Sequence, residues 1–473
     1  EHGNGTLFTD SLNYDRMMNI GYYFDGGSLV DSLNVLTSFW GQYEPNLKLA
    51  TFKDSVILEN PKFTLYSDRL KYNTDTKIAD IYTPTRIVSD SGLIYTSKGW
   101  YNTVTEESLL LDRSTVVNKQ GDRILRGDSI FYHKAEGYGE VFGNMFLQDT
   151  TKRVILQGNY GLYNELTNNA FATDSAFCIE YSQKDSTYIS ADTLRLTTIV
   201  DTIKIVPKKT IPNALPKNRI EQAQADSVYT ALSDSVPMPD SAPISPDSVP
   251  SPAALGKDSI ITHHQIKAYY NVRFYRSDMQ GVCDSMQFNS RDSILHMYKN
   301  PILWNTNRQI YGDTIDIFMN DSTIDYMHVK RNSFSIEEKD SIHYNQLKSR
   351  SLKMFFKGKI LKRVYAEGNV ETISYPEEKN KELSGVLNWL ESGYLEIFME
   401  DDGAFNKLVV RLKPVGRATP FHLVIPEQLR LTNFYWYDYL RPLDKKDVFR
   451  RVTRKSSDIQ PQRSRSSIFN REE

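Results

Sequence analysis

The chain has 473 residues, with 57 Lys and Arg against 59 Asp and Glu for a formal net charge of −2, so no electrostatic footprint for nucleic acid is present. Single cores stop growing well below this length, so at least two folded blocks are expected; 40% hydrophobic and 12% aromatic residues supply their interiors and exclude wholesale disorder. Two cysteines, Cys178 and Cys283, exclude a disulfide framework and a thiolate metal cluster, and leave one cross-link or two buried thiols open. No apolar run approaches a membrane span of roughly 18 residues. The opening at Glu1 reads as a mature or truncated chain, and leaves open whether further repeats precede it.

From the N-terminus, a tyrosine recurs at Tyr14, Tyr43, Tyr72, Tyr101, Tyr132 and Tyr163, at gaps of 29, 29, 29, 31 and 31 residues. The flanks recur as well, in Asp10-Ser11-Leu12-Asn13-Tyr14, Asp68-Arg69-Leu70-Lys71-Tyr72 and Asp128-Ser129-Ile130-Phe131-Tyr132. The spacing predicts a first repeat array over 1–205. Residues 206–258 are rich in Pro, Ser, Ala and Asp, and read as a disordered linker. A second array is predicted over 259–411, where Asp284-Ser285-Met286 and Asp313-Thr314-Ile315 resume the phrase. An aromatic extension, 412–449, contains Phe434 to Tyr439, and a basic disordered tail follows at 450–473.

Within a unit the apolar positions have period two, which only strands produce. Ile130, Tyr132, Val141, Met145, Leu147, Val154, Leu156, Tyr160 and Leu162 fall on one face, and phrases such as Gly143-Asn144 and Gly368-Asn369 read as turns between strands. One such unit cannot bury its own apolar face. Stacking pairs every strand and creates a continuous interior, so the expected fold is all-β, with tandem units of about thirty residues forming an elongated open β-jellyroll or solenoid in two arrays.

These phrases, with Gly143-Asn144-Met145, Gly368-Asn369-Val370 and the segment Pro420 to Tyr439, resemble OstA-like proteins of the Bacteroidetes type with a C-terminal extension, relatives of LptA and of the LptD N-terminal domain. The resemblance is good over about 5–200 and weaker over 265–410. It implies a periplasmic jellyroll, free or associated with the outer membrane, that shields the acyl chains of lipopolysaccharide. Its implied partners are LptC-like and LptD-like proteins joined by end-to-end strand addition, with self-association as a further option. The linker and second array depart from that pattern. Under the resemblance, the nine one-face residues named above become lipid-groove candidates; from periodicity alone, a core filled by its own side chains accounts for them.

No enzyme and no cofactor is expected. Gly127-Asp128-Ser129 resembles an esterase nucleophile only until its slot is compared with Gly312-Asp313-Thr314, which makes it a structural phrase. His263 and His264 are adjacent and point to opposite faces of a strand, which disfavours a shared metal. Two alternatives remain: a structural or glycan-binding solenoid with a closed core, and a β-helix polysaccharide lyase or hydrolase, which would require clustered carboxylates or a basic groove on one outer face.

Overall fold

The computed structural model describes residues 5–133, 135–182, 184–203, 259–320, 323–378 and 382–455. Contacts divide the chain into a main unit, 1–199 with 263–473, and a second unit, 200–262, of which only the strand ends 200–203 and 259–262 are described. The linker expected at 206–258 and most of the basic tail lie outside the described residues. Within them no helix is long and apolar enough to cross a membrane.

The repeat is a pair of long antiparallel strands, each bent in the middle. Leu49–Asn60 pairs with Phe63–Asn73, Ser108–Asn118 with Arg123–His133, and Tyr138–Asp149 with Val154–Asn164, each pair with a register shift at mid-strand. At these bends residues enter the left-handed region in pairs: Asp54 and Ser55, Asp112 and Arg113, Gly143 and Asn144, Asp174 and Ser175. Short polar side chains and glycine carry that conformation at least cost. The Gly-Asn phrases, expected as turns between strands, are therefore corners inside strands. The Asp128-Ser129 phrase sits at the same level, within Arg123–His133.

The bends fold the sheet into two facing leaves. Leaf A contains segments such as 56–60, 63–67, 123–127 and 145–149; leaf B contains 49–53, 69–73, 129–133 and 138–142. All the strand pairings are antiparallel and the architecture is all-β, as the repeat predicts. Inward residues alternate along both halves of a strand, but the bulge resets their parity. In Val154–Asn164, Val154 and Leu156 are 1% and 2% exposed, yet beyond the bend it is Gly161 and Tyr163 that turn inward. The stack runs from Thr187–Ile203 to Ser259–Arg276, where Asn271 Nδ2 donates to Asp192 at 2.7 Å and the Ser277 amide to Asp185 at 3.0 Å. One apolar cluster spans Leu110 to Leu395 and so crosses from the first array into the second, while the buried residues from Leu29 to Tyr101 form a cluster of their own, with the half-buried Ile94 packed against both.

The tyrosine repeat now has a physical cause. Facing residues across leaf B run Tyr14, Gly21, Tyr43, Ala50, Tyr72, Ala79, Tyr101, Ser108, Tyr132, Gly139, Tyr163, Ala170. Every tyrosine has a small residue on each neighbouring strand. Rings on adjacent strands 4.7–4.9 Å apart would collide, so the large residue recurs at every second strand, which is once per repeat.

The C-terminal segment doubles back over the outer face of leaf A in the second array. After the strand Val415–Pro420 it proceeds through short 3-10 turns, of which the last is Asp447–Phe449. A row of outward glutamines holds it. Gln346 donates to the Leu429 carbonyl and accepts from the Leu431 amide, both at 2.8 Å. Gln309 does the same with the Tyr435 carbonyl and the Tyr437 amide at 2.7 Å, and Gln280 accepts from Arg441 at 2.7 Å. Beneath it Ile302, Trp304 and Ile336 are fully buried although they lie on the outer face.

Candidate functional site

The structure gathers most of the candidate residues in the interior between the leaves. Ile130, Val141, Met145, Leu147, Val154 and Leu156 are at most 2% exposed and pack in one cluster, with Tyr132 half-buried at its rim. Tyr160 and Leu162 lie on the outer face instead. The Tyr160 ring lies tilted against the exposed Phe142 at 5.4 Å and its hydroxyl donates to Glu140 at 2.6 Å, and Leu162 faces Glu140 and Phe171 across the strands. The bulge at 157–160 breaks the period-two count that had placed them inside.

Cys178 lies in this cluster and Cys283 joins it; both are free, and burial pushes both thiols well up. Among the described residues no grouping of three or more His, Cys, Asp or Glu could hold a metal. Asp128, the carboxylate of the esterase-like phrase, accepts from Asn144 at 2.7 Å and faces Arg113 at 3.6 Å, contacts that tie the corner.

Opposite the corners the two leaves end in two rows of hairpin turns. Backbone hydrogen bonds run along each row: Thr74 to Lys48 and Thr103 to Lys77 on leaf B, Lys119 to Ser91 and Thr150 to Asp122 on leaf A, all 2.9 Å. Among the described residues no backbone hydrogen bond bridges the two rows, and side chains make the crossing. Lys77 reaches the Asp31 carboxylate at 2.6 Å; Asn34 donates to the Tyr72 hydroxyl at 2.9 Å and to Thr103 at 3.0 Å. Lys62 meets Glu106 at 2.8 Å, Arg123 donates to Asn168 and to the Tyr163 hydroxyl, and Lys152 to the Asn168 carbonyl at 2.8 Å.

From Tyr43 to Tyr163 the recurring tyrosines thus turn their rings toward the apolar interior, with several of their hydroxyls at this seam, while Tyr14 at the end of the row is exposed. Burial, reinforced by the neighbouring carboxylates Asp31 and Glu165, pushes the Tyr72 and Tyr132 hydroxyls well above the ordinary phenol range. At the seam His264 is 6% exposed with no hydrogen-bond partner for Nε2. Burial first, then nearby Lys152, lowers it to about 4. Further along, the inward side chains Phe356, Leu361 and Ile397 are only half-buried, so there the apolar interior meets solvent.

A family model described as OstA-like protein matches residues 1–68 and again 56–122. Residues 1–122 are thus similar to OstA-like proteins. The doubled match reflects the repeat, and the tyrosine row of the OstA-like part continues without interruption through Tyr132 and Tyr163. The OstA-like family is one of transport and binding, associated with lipopolysaccharide transport. No curated protein matches the chain.

The seam residues escaped the sequence reading. A signal for them existed: Lys48 and Lys77 stand one repeat apart, as do their neighbours Asp75 and Glu106 within a few residues. What could not be read was which turn faces which, because that depends on the bend at the corner.

Proposed function

We propose that this protein is a periplasmic scaffold for lipopolysaccharide transport, non-enzymatic, in which acyl chains travel in the apolar interior and replace side-chain contacts between the leaves. The observation that carries the reading is the combination of an apolar interior between the leaves with a seam crossed by side chains. Such a seam opens without breaking the strand ladders, whereas the corner edge does not. Each methylene buried contributes about 0.8 kcal/mol, so a few acyl chains offset the separation of several polar pairs. The terminal strands support joining to LptC-like, LptD-like or identical modules by strand addition. Gly5–Thr9 and Phe405–Arg411 each pair with one neighbour among the described residues.

A closed structural or glycan-binding stack is the second reading, favoured by how completely side chains fill the interior at Ile130, Val141 and Met145. A photo-crosslinking residue at Met145, compared with one at the exposed corner residue Asn144, separates the two in cells that make lipopolysaccharide. Lipid adducts at Met145 and not Asn144 are expected. Joining the seam with a bis-maleimide across Lys62→Cys and Glu106→Cys should then abolish them, since the buried native thiols do not compete. Folded protein without adducts at Met145 or other interior positions would leave the closed stack as the function.

A further inference from the structure

Among the described residues, the outer face of leaf A is covered in the second array and bare in most of the first. We infer that the bare part is a docking surface for an extended segment of a partner polypeptide bearing apolar side chains and carboxylates. Facing residues across it form two rows. The one nearer the corner runs Tyr66, Arg86, Tyr95, Thr115, Arg126, Phe146; the one nearer the turns contains Val88, Leu93, Val117, Ile124 and Ile155. Tyr66 and Tyr95 are 40% and 44% exposed and border a concavity of about 640 Å3, whose rim includes Arg86, Asp112 and Arg113.

The choice of occupant follows from continuity with the interface this chain already makes. In the second array the same face of the same leaf carries an extended polypeptide, gripped through its backbone by Gln346 and Gln309. That cover reaches the first array at its near end only, where the Phe449 ring lies 4.8 Å from Phe177 and Lys445 lies over Tyr188. It then turns back, with the Lys455 amide donating to the Tyr439 hydroxyl at 3.1 Å and Arg454 over Tyr437. Phe177 belongs to the row that continues through Gln157 to Phe146 and Arg126. The strip therefore runs on beyond the described part of its cover.

The carboxylates follow from charge. Two arginines stand beside the aromatics of this strip, Arg86 between Tyr66 and Tyr95 and Arg126 next to Phe146. Arg86 lies 5.0 Å over the Tyr66 ring and Arg126 5.6 Å over Phe146, and neither forms an ion pair among the described residues. A guanidinium held over a ring by cation–π attraction still has N–H donors to offer a planar carboxylate. This surface is separate from the interior and from the terminal strand edges.

The test places photo-crosslinking residues at Leu93 and Val117 of the full chain, with Leu109 on the outer face of leaf B as reference, in the cells that produce the protein. The expected result is adducts from Leu93 and Val117, but not Leu109, to one partner, mapped by mass spectrometry to a single acidic and apolar segment. Those adducts should vanish in Arg86→Glu/Arg126→Glu and weaken in Arg86→Gln/Arg126→Gln, with the thermal midpoints unchanged. Adducts to lipid would make the face a membrane surface; adducts to this chain would make it self-covered. Either result, an equal yield from Leu109, polypeptide adducts indifferent to charge reversal, or no adducts in folded protein would overturn the proposal.

Discussion

The hydroxyl of Tyr72 donates to the carboxylate of Asp31 at 2.8 Å, across the seam and out of reach of solvent, while Lys77 holds the same carboxylate from the other side. Two residues 41 positions apart are thereby joined by the tyrosine that the repeat supplies. Removing the hydroxyl in Tyr72→Phe leaves a 1%-exposed Asp31 with one donor fewer and deprives Asn34 of an acceptor. A loss of about 1–3 kcal/mol is expected, because a buried charged acceptor is left short. Urea unfolding of Tyr72→Phe beside Tyr101→Phe checks this; the same small loss in both would show that the seam bond contributes nothing.

The small residues between the tyrosines make the opposite kind of prediction. Ala79 is fully buried between Tyr72 and Tyr101, so Ala79→Leu overpacks two rings at once and should cost about 1–3 kcal/mol or more. Ser108 occupies the equivalent slot between Tyr101 and Tyr132, and its buried hydroxyl has no hydrogen-bond partner in the structure. Ser108→Ala restores the residue found at Ala50, Ala79 and Ala170, and should be neutral or stabilising by up to about 1 kcal/mol. Thermal midpoints of the two variants should move in opposite directions, or Ser108→Ala not at all.

The repeat, the all-β class and most of the interior were legible because they depend on local alternation. Ile130, Val141 and Met145 are inside for the reason the pattern gave. Tyr160 and Leu162 are outside because one bulge shifts parity, and the Gly158-Asn159 phrase that marks it reads in the sequence as a turn between strands and not as a shift within one. The tyrosine row announced itself, yet its alternation with Ala50, Ala79, Ser108 and Gly139 is a relation between strands, invisible until the register is known. The seam and the glutamine row are non-local in the same way: Gln309 and Tyr437 stand 128 residues apart and meet only because the chain doubles back.

His264 gives the seam a pH dependence. Its folded-state value is lowered from 6.5 to about 4, so between those values the unfolded chain takes up a proton that the folded chain refuses. The unfolded state then binds more protons, and stability falls as pH falls from about 6.5 toward 4, with no contribution from this group above that window. Across the whole window the effect is at most about 3 kcal/mol at 1.36 kcal/mol per unit. Urea midpoints of the parent and of His264→Asn at pH 7 and pH 5 isolate it from the titrating carboxylates. The gap between the two proteins should shift in favour of His264→Asn at pH 5, and a constant gap would rule the mechanism out.

The C-terminal cover should detach without unfolding the leaves. Gln309 is fully buried, and its amide makes two bonds to the cover, to the Tyr435 carbonyl and from the Tyr437 amide. Gln309→Ala removes both and leaves those backbone groups unpaired over Trp304, at a cost of about 2–4 kcal/mol. Because Gln309 points away from the interior, the strand ladders on either side of it keep their bonds. Hydrogen exchange should therefore accelerate at the Leu431, Tyr437 and Leu440 amides, while the amides of Tyr138–Asp149 and Val154–Asn164 keep their protection. Equal acceleration in both places would mean that the cover and the leaves open as one cooperative unit. In that case the segment is part of the folding core, and its removal could not serve to expose the face beneath it.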